Sequence, residues 1–159
     1  MGQLNPKTNP AVNPKALFLP PSTNAGYIGA RSAVLFFGLA AVATLVPGLI
    51  HSVLPDGGAQ SIAGLDLGDR AALVRGVFAW EGATQLALGV AMLAVAIRYR
   101  PLTPLFLSLI ILERGLMTLQ GLMLRPPATD HHPPEHFASP IIGLLALIFL
   151  ALSLRAHRS

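Results

Sequence analysis

Residues 75–124 read RGVFAWEGATQLALGVAMLAVAIRYRPLTPLFLSLIILERGLMTLQGLML. Two long apolar runs flank a short basic break, Arg98-Tyr99-Arg100-Pro101. About 20 mainly apolar residues, rising about 1.5 Å each, cross about 30 Å of hydrocarbon, and both runs reach that length. Neither run alternates apolar with polar residues; the first is rich in Ala and Leu and the second in Leu, which argues for helices over strands. A break this short makes the two helices antiparallel and predicts that they are packed neighbours. Pro101 suits the first turn of the helix that follows.

Outward from this pair, a third apolar run covers about 27–54. A fourth covers about 139–154 and contains IIGLLALIFLALSL. The fold class expected is therefore all-α, an integral membrane four-transmembrane-helix bundle, with helices at about 27–54, 71–97, 102–124 and 139–154. Residues 27–159 form the transmembrane domain. Residues 1–26 form an extended Pro/Asn-rich tail with Asn-Pro at 5–6, 9–10 and 13–14, since proline removes donors and asparagine favours turns. The first run is read as an uncleaved helix, being longer than the apolar core of a signal peptide and preceded by the tail. Pro47 falls inside it, where proline breaks one helical hydrogen bond.

The composition agrees. Of 159 residues (16.7 kDa), 53% are apolar and 11% charged, and the mean hydropathy is +0.61. A soluble domain carries roughly 25% charged residues, so this chain has too little polar surface to cover a water-soluble globule. It has no cysteine, which excludes disulfides, thiolate metal sites and thiol catalysis.

The net charge of +4 invites a nucleic-acid reading, but the placement of the charges removes its motive. Lys7, Lys15, Arg31, Arg98, Arg100, Arg155 and Arg158 all fall on one side of the expected bundle, with no acidic residue among them. The loops on the other side hold Asp56, Asp66, Asp69, Asp130 and Glu135 against Arg70 and Arg125. The positive-inside rule then places both termini in the cytoplasm. Tyr27 and Tyr99 lie on that same boundary, where interfacial tyrosines belong.

Ionisable residues inside the spans are the main candidates for chemistry. Glu81 lies about 14 Å and Arg114 about 16 Å from the outer helix ends at 1.5 Å per residue, so antiparallel packing brings them level. An unpaired charge at that depth costs several kcal/mol, which predicts a Glu81–Arg114 pair with Glu113 as an additional carboxylate. Gln85 and Gln120 are the neighbouring amides. These five residues serve either as a structural ion pair that fixes packing and register or as a polar site for a ligand or proton. Gly76, Gly82, Gly89, Gly115 and Gly121 are expected to let helices approach closely. Arg75 is near enough to a helix end to reach the interface. Asp69 is an expected cap for the second helix.

The outer segment DHHPPEH, residues 130–136, offers His131, His132 and His136 as metal-ligand types. Their spacing matches no established metal motif, and Pro133-Pro134 holds them extended, so a solvated turn is the plainer reading. Phosphate loops, nucleophile elbows and the HExxH metal motif are missing from the sequence.

The 75–124 stretch resembles small uncharacterised bacterial inner-membrane proteins with four helices (a domain of unknown function). The residues carrying the likeness are Arg75, Gly82, Gly89 and Arg114-Gly115. The resemblance implies a bacterial plasma (inner) membrane, multi-pass, and supplies no activity or ligand. The tail and the histidine segment depart from it.

Three functions are compatible with these features. The first is a non-enzymatic accessory or scaffold subunit of a larger membrane complex or homo-oligomer, with membrane lipid around it. The second is a protein that binds or transports a small ligand, lipid or proton through the Glu/Arg/Gln cluster. The third is a membrane metal-binding protein or enzyme using the outer histidines. The sequence names no cofactor.

Overall fold

The computed structural model describes residues 18–126 and 133–155. Among them there is no strand. Four helices carry the fold: α1 (Arg31–Val53), α2 (Ala71–Arg98), α3 (Thr103–Thr118) and α4 (Glu135–Leu154). Short 3-10 turns cover Asn24–Gly26, Gly68–Arg70 and Arg100–Leu102, and α3 runs on into a π-helical segment, Leu119–Leu124. All four helices, taken with these extensions, are long and apolar enough to cross a membrane.

The helices pair as two hairpins. α1 packs on α2 and α3 packs on α4, while α2 and α3, adjacent in sequence, barely touch. The expected packing of the second helix on the third is thus corrected. A short turn sets direction, but side-chain size sets which faces meet. The α1–α2 seam is lined by glycine. A methyl on Gly82 would lie 2.8 Å from His51 Cβ and 2.9 Å from the Gly48 carbonyl, and one on Gly48 would lie 3.1 Å from the Leu86 nitrogen. A bare backbone on both sides permits this approach. Gly76 and Gly115 have nothing within 4 Å of such a methyl and play no part in packing.

The two hairpins meet at the end that carries the 99–102 turn. Phe37, Met92, Val95, Leu107, Ile110 and Ala146, one or two from each helix, form the buried core there. Phe36 stacks on Phe149 across α1 and α4, with ring centroids 4.3 Å apart.

The segment before α1 clamps the same end. Thr23 N–H and Ser22 Oγ donate to the Arg98 carbonyl (2.9 and 3.0 Å), and Asn24 Nδ2 donates to the Ile97 carbonyl (2.6 Å). Further on, Ala30 N–H donates to the Leu152 carbonyl (3.2 Å). The last carbonyls of a helix have no intrahelical partner, and this segment supplies donors to α2 and α4 together. Gly29 packs against the Ser153 carbonyl so closely that no side chain fits. The part of the 1–26 tail from Pro20 onward is therefore tied to the bundle.

Outward faces are apolar. Leu35, Leu39, Leu73, Trp80, Leu112 and Ile141 are all exposed, Trp80 by 76%.

Candidate functional site

At the opposite end the hairpins part. Between them lies a cleft of about 360 Å³, bounded by Pro47, Ile50 and His51 of α1, Val77, Phe78, Glu81 and Gln85 of α2, Met117 of α3, and Pro133, Pro134 and Glu135 at the start of α4. The α1–α2 loop roofs it through Gly58, Ile62, Ala63 and Leu65.

The roof is shaped by one carboxylate. Asp56 accepts the backbone N–H groups of Gly58 (3.0 Å), Gln60 (3.0 Å) and Ser61 (2.7 Å), and the Ser61 hydroxyl (3.2 Å). The Ser61 and then the Gly58 amide bonds hold its carboxyl well below the usual carboxylate range. Gly57 and Gly58 have φ of +64° and +79°, a region open to glycine. Side chains there would strike Phe78 and Ile50, both of which bound the cleft.

The intramembrane charges are arranged differently from the pairing expected on depth alone. Arg114 is 9% exposed. Its Nη1 donates to Glu135 at 2.9 Å, and its Nε lies 3.7 Å from Glu113. The expected Glu81–Arg114 ion pair is absent among the described residues. Instead Glu81 accepts a hydrogen bond from Gln85 Nε2 at 3.0 Å, one helical turn along α2. The physical reason is the hairpin pairing: α4, not α2, lies against α3. Helix α4 also begins at Glu135, four residues earlier than expected from the apolar run, so a presumed loop carboxylate becomes a helical one. A proline with helical dihedrals at the helix entry, Pro134, followed by an acid in the first turn is a helix-start signal that the sequence does contain.

A second cavity of about 350 Å³ lies among α1, α3 and α4. Glu113 and Arg114 line this cavity and not the cleft, whereas Glu135 lines both. Through Glu135, the Arg114–Glu135 pair thus borders both voids.

The remaining candidates are scattered. Gln120 is exposed in the π-helical segment and lines neither void. His136 is in the first turn of α4, with its ring over Gly121, where a methyl would lie 2.9 Å from Nε2. His131 and His132 lie outside the described residues. Among the described residues no three His, Cys, Asp or Glu side chains gather as a metal site. Asp69 makes no capping bond to α2, whose N-cap is Arg70, and Arg75 Nε donates to the Ala71 carbonyl at 3.1 Å. His51, missed as a cleft residue, turns its Nδ1 to the Gly57 carbonyl at 2.6 Å and its ring edge-on to Phe78. Its spacing from Glu81 and Gln85 is a tertiary property that helical periodicity does not reveal.

Comparison with protein-family models, with curated proteins and with solved structures found no match.

Proposed function

We propose that this chain is a multi-pass protein of a bacterial-type inner membrane, with both termini cytoplasmic, and that it binds a small amphiphilic molecule in the cleft between its hairpins. The observation carrying this reading is the cleft itself: an apolar void of about 360 Å³ with polar groups grouped on a few positions of its wall. Ligand sites are of this size and character, and ionisable residues at membrane depth face such cavities. The apolar outer faces and the one-sided placement of basic residues support insertion in that orientation.

The test joins orientation to occupancy. The chain has no cysteine, so Gln60→Cys and Ser159→Cys each introduce a single reporter. In intact cells an impermeant thiol reagent labels the first and spares the second until the membrane is opened. Native mass spectrometry of protein in nanodiscs then detects a retained small molecule, and Val77→Trp, which fills the cleft, expels it. Retention that is unaffected by Val77→Trp overturns the cleft reading.

The accessory-subunit reading rests on a different observation, the segment at Ser22–Asn24 that is clamped to the end of the bundle. Stoichiometric companions in the same mass spectrum would favour it.

A further inference from the structure

We infer that the ligand of the cleft is an organic cation, an ammonium or guanidinium group on an apolar body; this rests on the reading of the cleft as a ligand site.

The polar side chains on its wall are Glu81, Gln85, Glu135 and His51. Each offers an acceptor. The Glu81 and Glu135 carboxylates are acceptor-only when ionised. Gln85 donates an Nε2–H to Glu81, which fixes its amide orientation and leaves Oε1, a buried atom with no hydrogen-bond partner. The Gly57 carbonyl can only accept, so His51 Nδ1 carries the proton toward it, and in the neutral ring Nε2 is left as an acceptor. One Nε2–H of Gln85 and the Nδ1–H of His51 are thus turned onto the protein, while the Glu81 and Glu135 carboxylates and the His51 Nε2 leave acceptor capacity on the cleft wall.

The charge balance has the same sign. No described cation lies within ion-pair distance of Glu81. Glu135 has Arg114, but that guanidinium is buried and lines the second cavity instead of the cleft. Among the described residues, a molecule entering the cleft therefore meets two carboxylates and no cationic side chain on its wall. A carboxylate or phosphate ligand would place acceptor against acceptor. A hydrated metal ion would gain nothing from Val77, Phe78 and Met117, and the described residues form no metal cluster. An ammonium on an apolar body satisfies both parts of the wall: charge-assisted hydrogen bonds to carboxylate and burial of its hydrocarbon. Phe78 adds an aromatic surface of the kind that attracts cations.

The test uses three probes of one shape: phenylbutylamine, phenylbutanol and phenylbutyrate. Each is titrated calorimetrically into the full chain in phosphatidylcholine nanodiscs, with empty nanodiscs subtracted. The amine is expected to bind at least about tenfold tighter than the alcohol, with the butyrate weakest. Glu81→Gln is expected to lower amine affinity to that of the alcohol. The alcohol's own affinity, unchanged, reports an intact cavity. Asp69→Asn, which removes a carboxylate that is not part of the cleft wall, leaves the preference in place. If the alcohol binds as tightly as the amine, or Glu81→Gln keeps the preference, the cation assignment is overturned and the cleft reading stands. If none of the three binds above empty nanodiscs, the cleft reading falls and the assignment falls with it.

Discussion

Arg114 and Glu135 meet by stretching toward each other along the helix axis. A methyl on Gly143 would sit 3.5 Å from Arg114 Cβ, so the backbone of α4 level with Arg114 is at Gly143. Glu135 is eight residues nearer the start of α4, about 12 Å away along the axis. The guanidinium nonetheless reaches its carboxylate at 2.9 Å. The arginine lies extended along the α3–α4 seam, and it joins the middle of α3 to the first turn of α4.

Removing the buried arginine of this pair leaves the half-exposed Glu135 charge uncompensated. Arg114→Met is expected to cost about 1–3 kcal/mol, less than for a fully buried pair, because the Glu135 side chain left without its cation is 47% exposed. The double variant Arg114→Met with Glu135→Gln should recover part of that loss, with a coupling of about 1–3 kcal/mol. Glu113→Gln should cost less than Glu135→Gln, since the Glu113 carboxylate is 3.7 Å from Nε, a Coulombic contact longer than a hydrogen bond. Unfolding in mixed micelles by sodium dodecyl sulfate checks the cycle. Strict additivity of the two single variants would show that the pair is not energetically joined.

The glycines separate into two classes, and substitution by alanine should sort them. At Gly82 the added methyl meets His51 Cβ and the Gly48 backbone carbonyl, neither of which can swing aside. About 1–3 kcal/mol of destabilisation is expected, as for other overpacked sites. Gly89→Ala should cost less than Gly82→Ala, because its nearest contacts are the Leu45 side-chain end at 2.6 and 2.7 Å. Gly76→Ala and Gly115→Ala should be neutral or stabilising, since the methyl enters open space and alanine favours helix. The same micelle unfolding assay ranks all four. A Gly82→Ala variant as stable as Gly115→Ala would contradict the seam.

The contrast between these glycines shows where sequence reading reached and where it stopped. Helix length and apolarity are local properties, so the four long helices and the absence of strands among the described residues were legible. Gly82, Gly89 and Gly121 are packed as expected, but nothing local separates them from Gly76 and Gly115. Depth along a helix was also legible, and it placed Glu81 and Arg114 at similar levels. The lateral arrangement was not, because it depends on which glycine face each hairpin buries. Hence Arg114 was matched to the carboxylate of the wrong helix. Glu135 was hidden by the polar residues around it, although Pro134-Glu135 carries a helix start. The cleft has no linear signature, since its wall draws on all four helices and the α1–α2 loop.

Asp56 makes the roof of the cleft sensitive to acid. Its folded carboxyl is held below the ordinary range by the Ser61, Gly58 and Gln60 amides. A group depressed on folding contributes stability that is fully present above its unfolded value, about 3.9, and that is lost as pH falls through the folded value. The loop should therefore be unaffected between pH 7 and pH 5 and should loosen progressively below about pH 4. Asp56→Ala should loosen it at every pH. Hydrogen exchange at the Gly58, Gln60 and Ser61 amides reads this directly, with acceleration in the variant at neutral pH and in the wild type only in acid. Equal protection in Asp56→Ala would show that the glycine turn alone holds the roof.

Asn24 is the most connected residue of the clamp at the other end. Its Nδ2 donates to the Ile97 carbonyl at 2.6 Å, and its Oδ1 accepts the Arg100 N–H at 3.2 Å. One side chain thus serves the last turn of α2 and the turn into α3. Asn24→Ala removes both bonds and leaves the backbone contact of Thr23 to Arg98. About 1–2 kcal/mol of local stability should go with them. Global unfolding should change little, because the buried core around Phe37 and Met92 is untouched. Exchange should accelerate at Thr23 and Arg100, and a protease should cut residues 18–26 more readily. Asn24→Asp keeps the acceptor for Arg100 and loses the donor to Ile97, so it should restore protection at Arg100 alone. Protection at Arg100 lost equally in both variants would mean that the 99–102 turn is held by its own 3-10 bonds, with the clamp adding nothing to it.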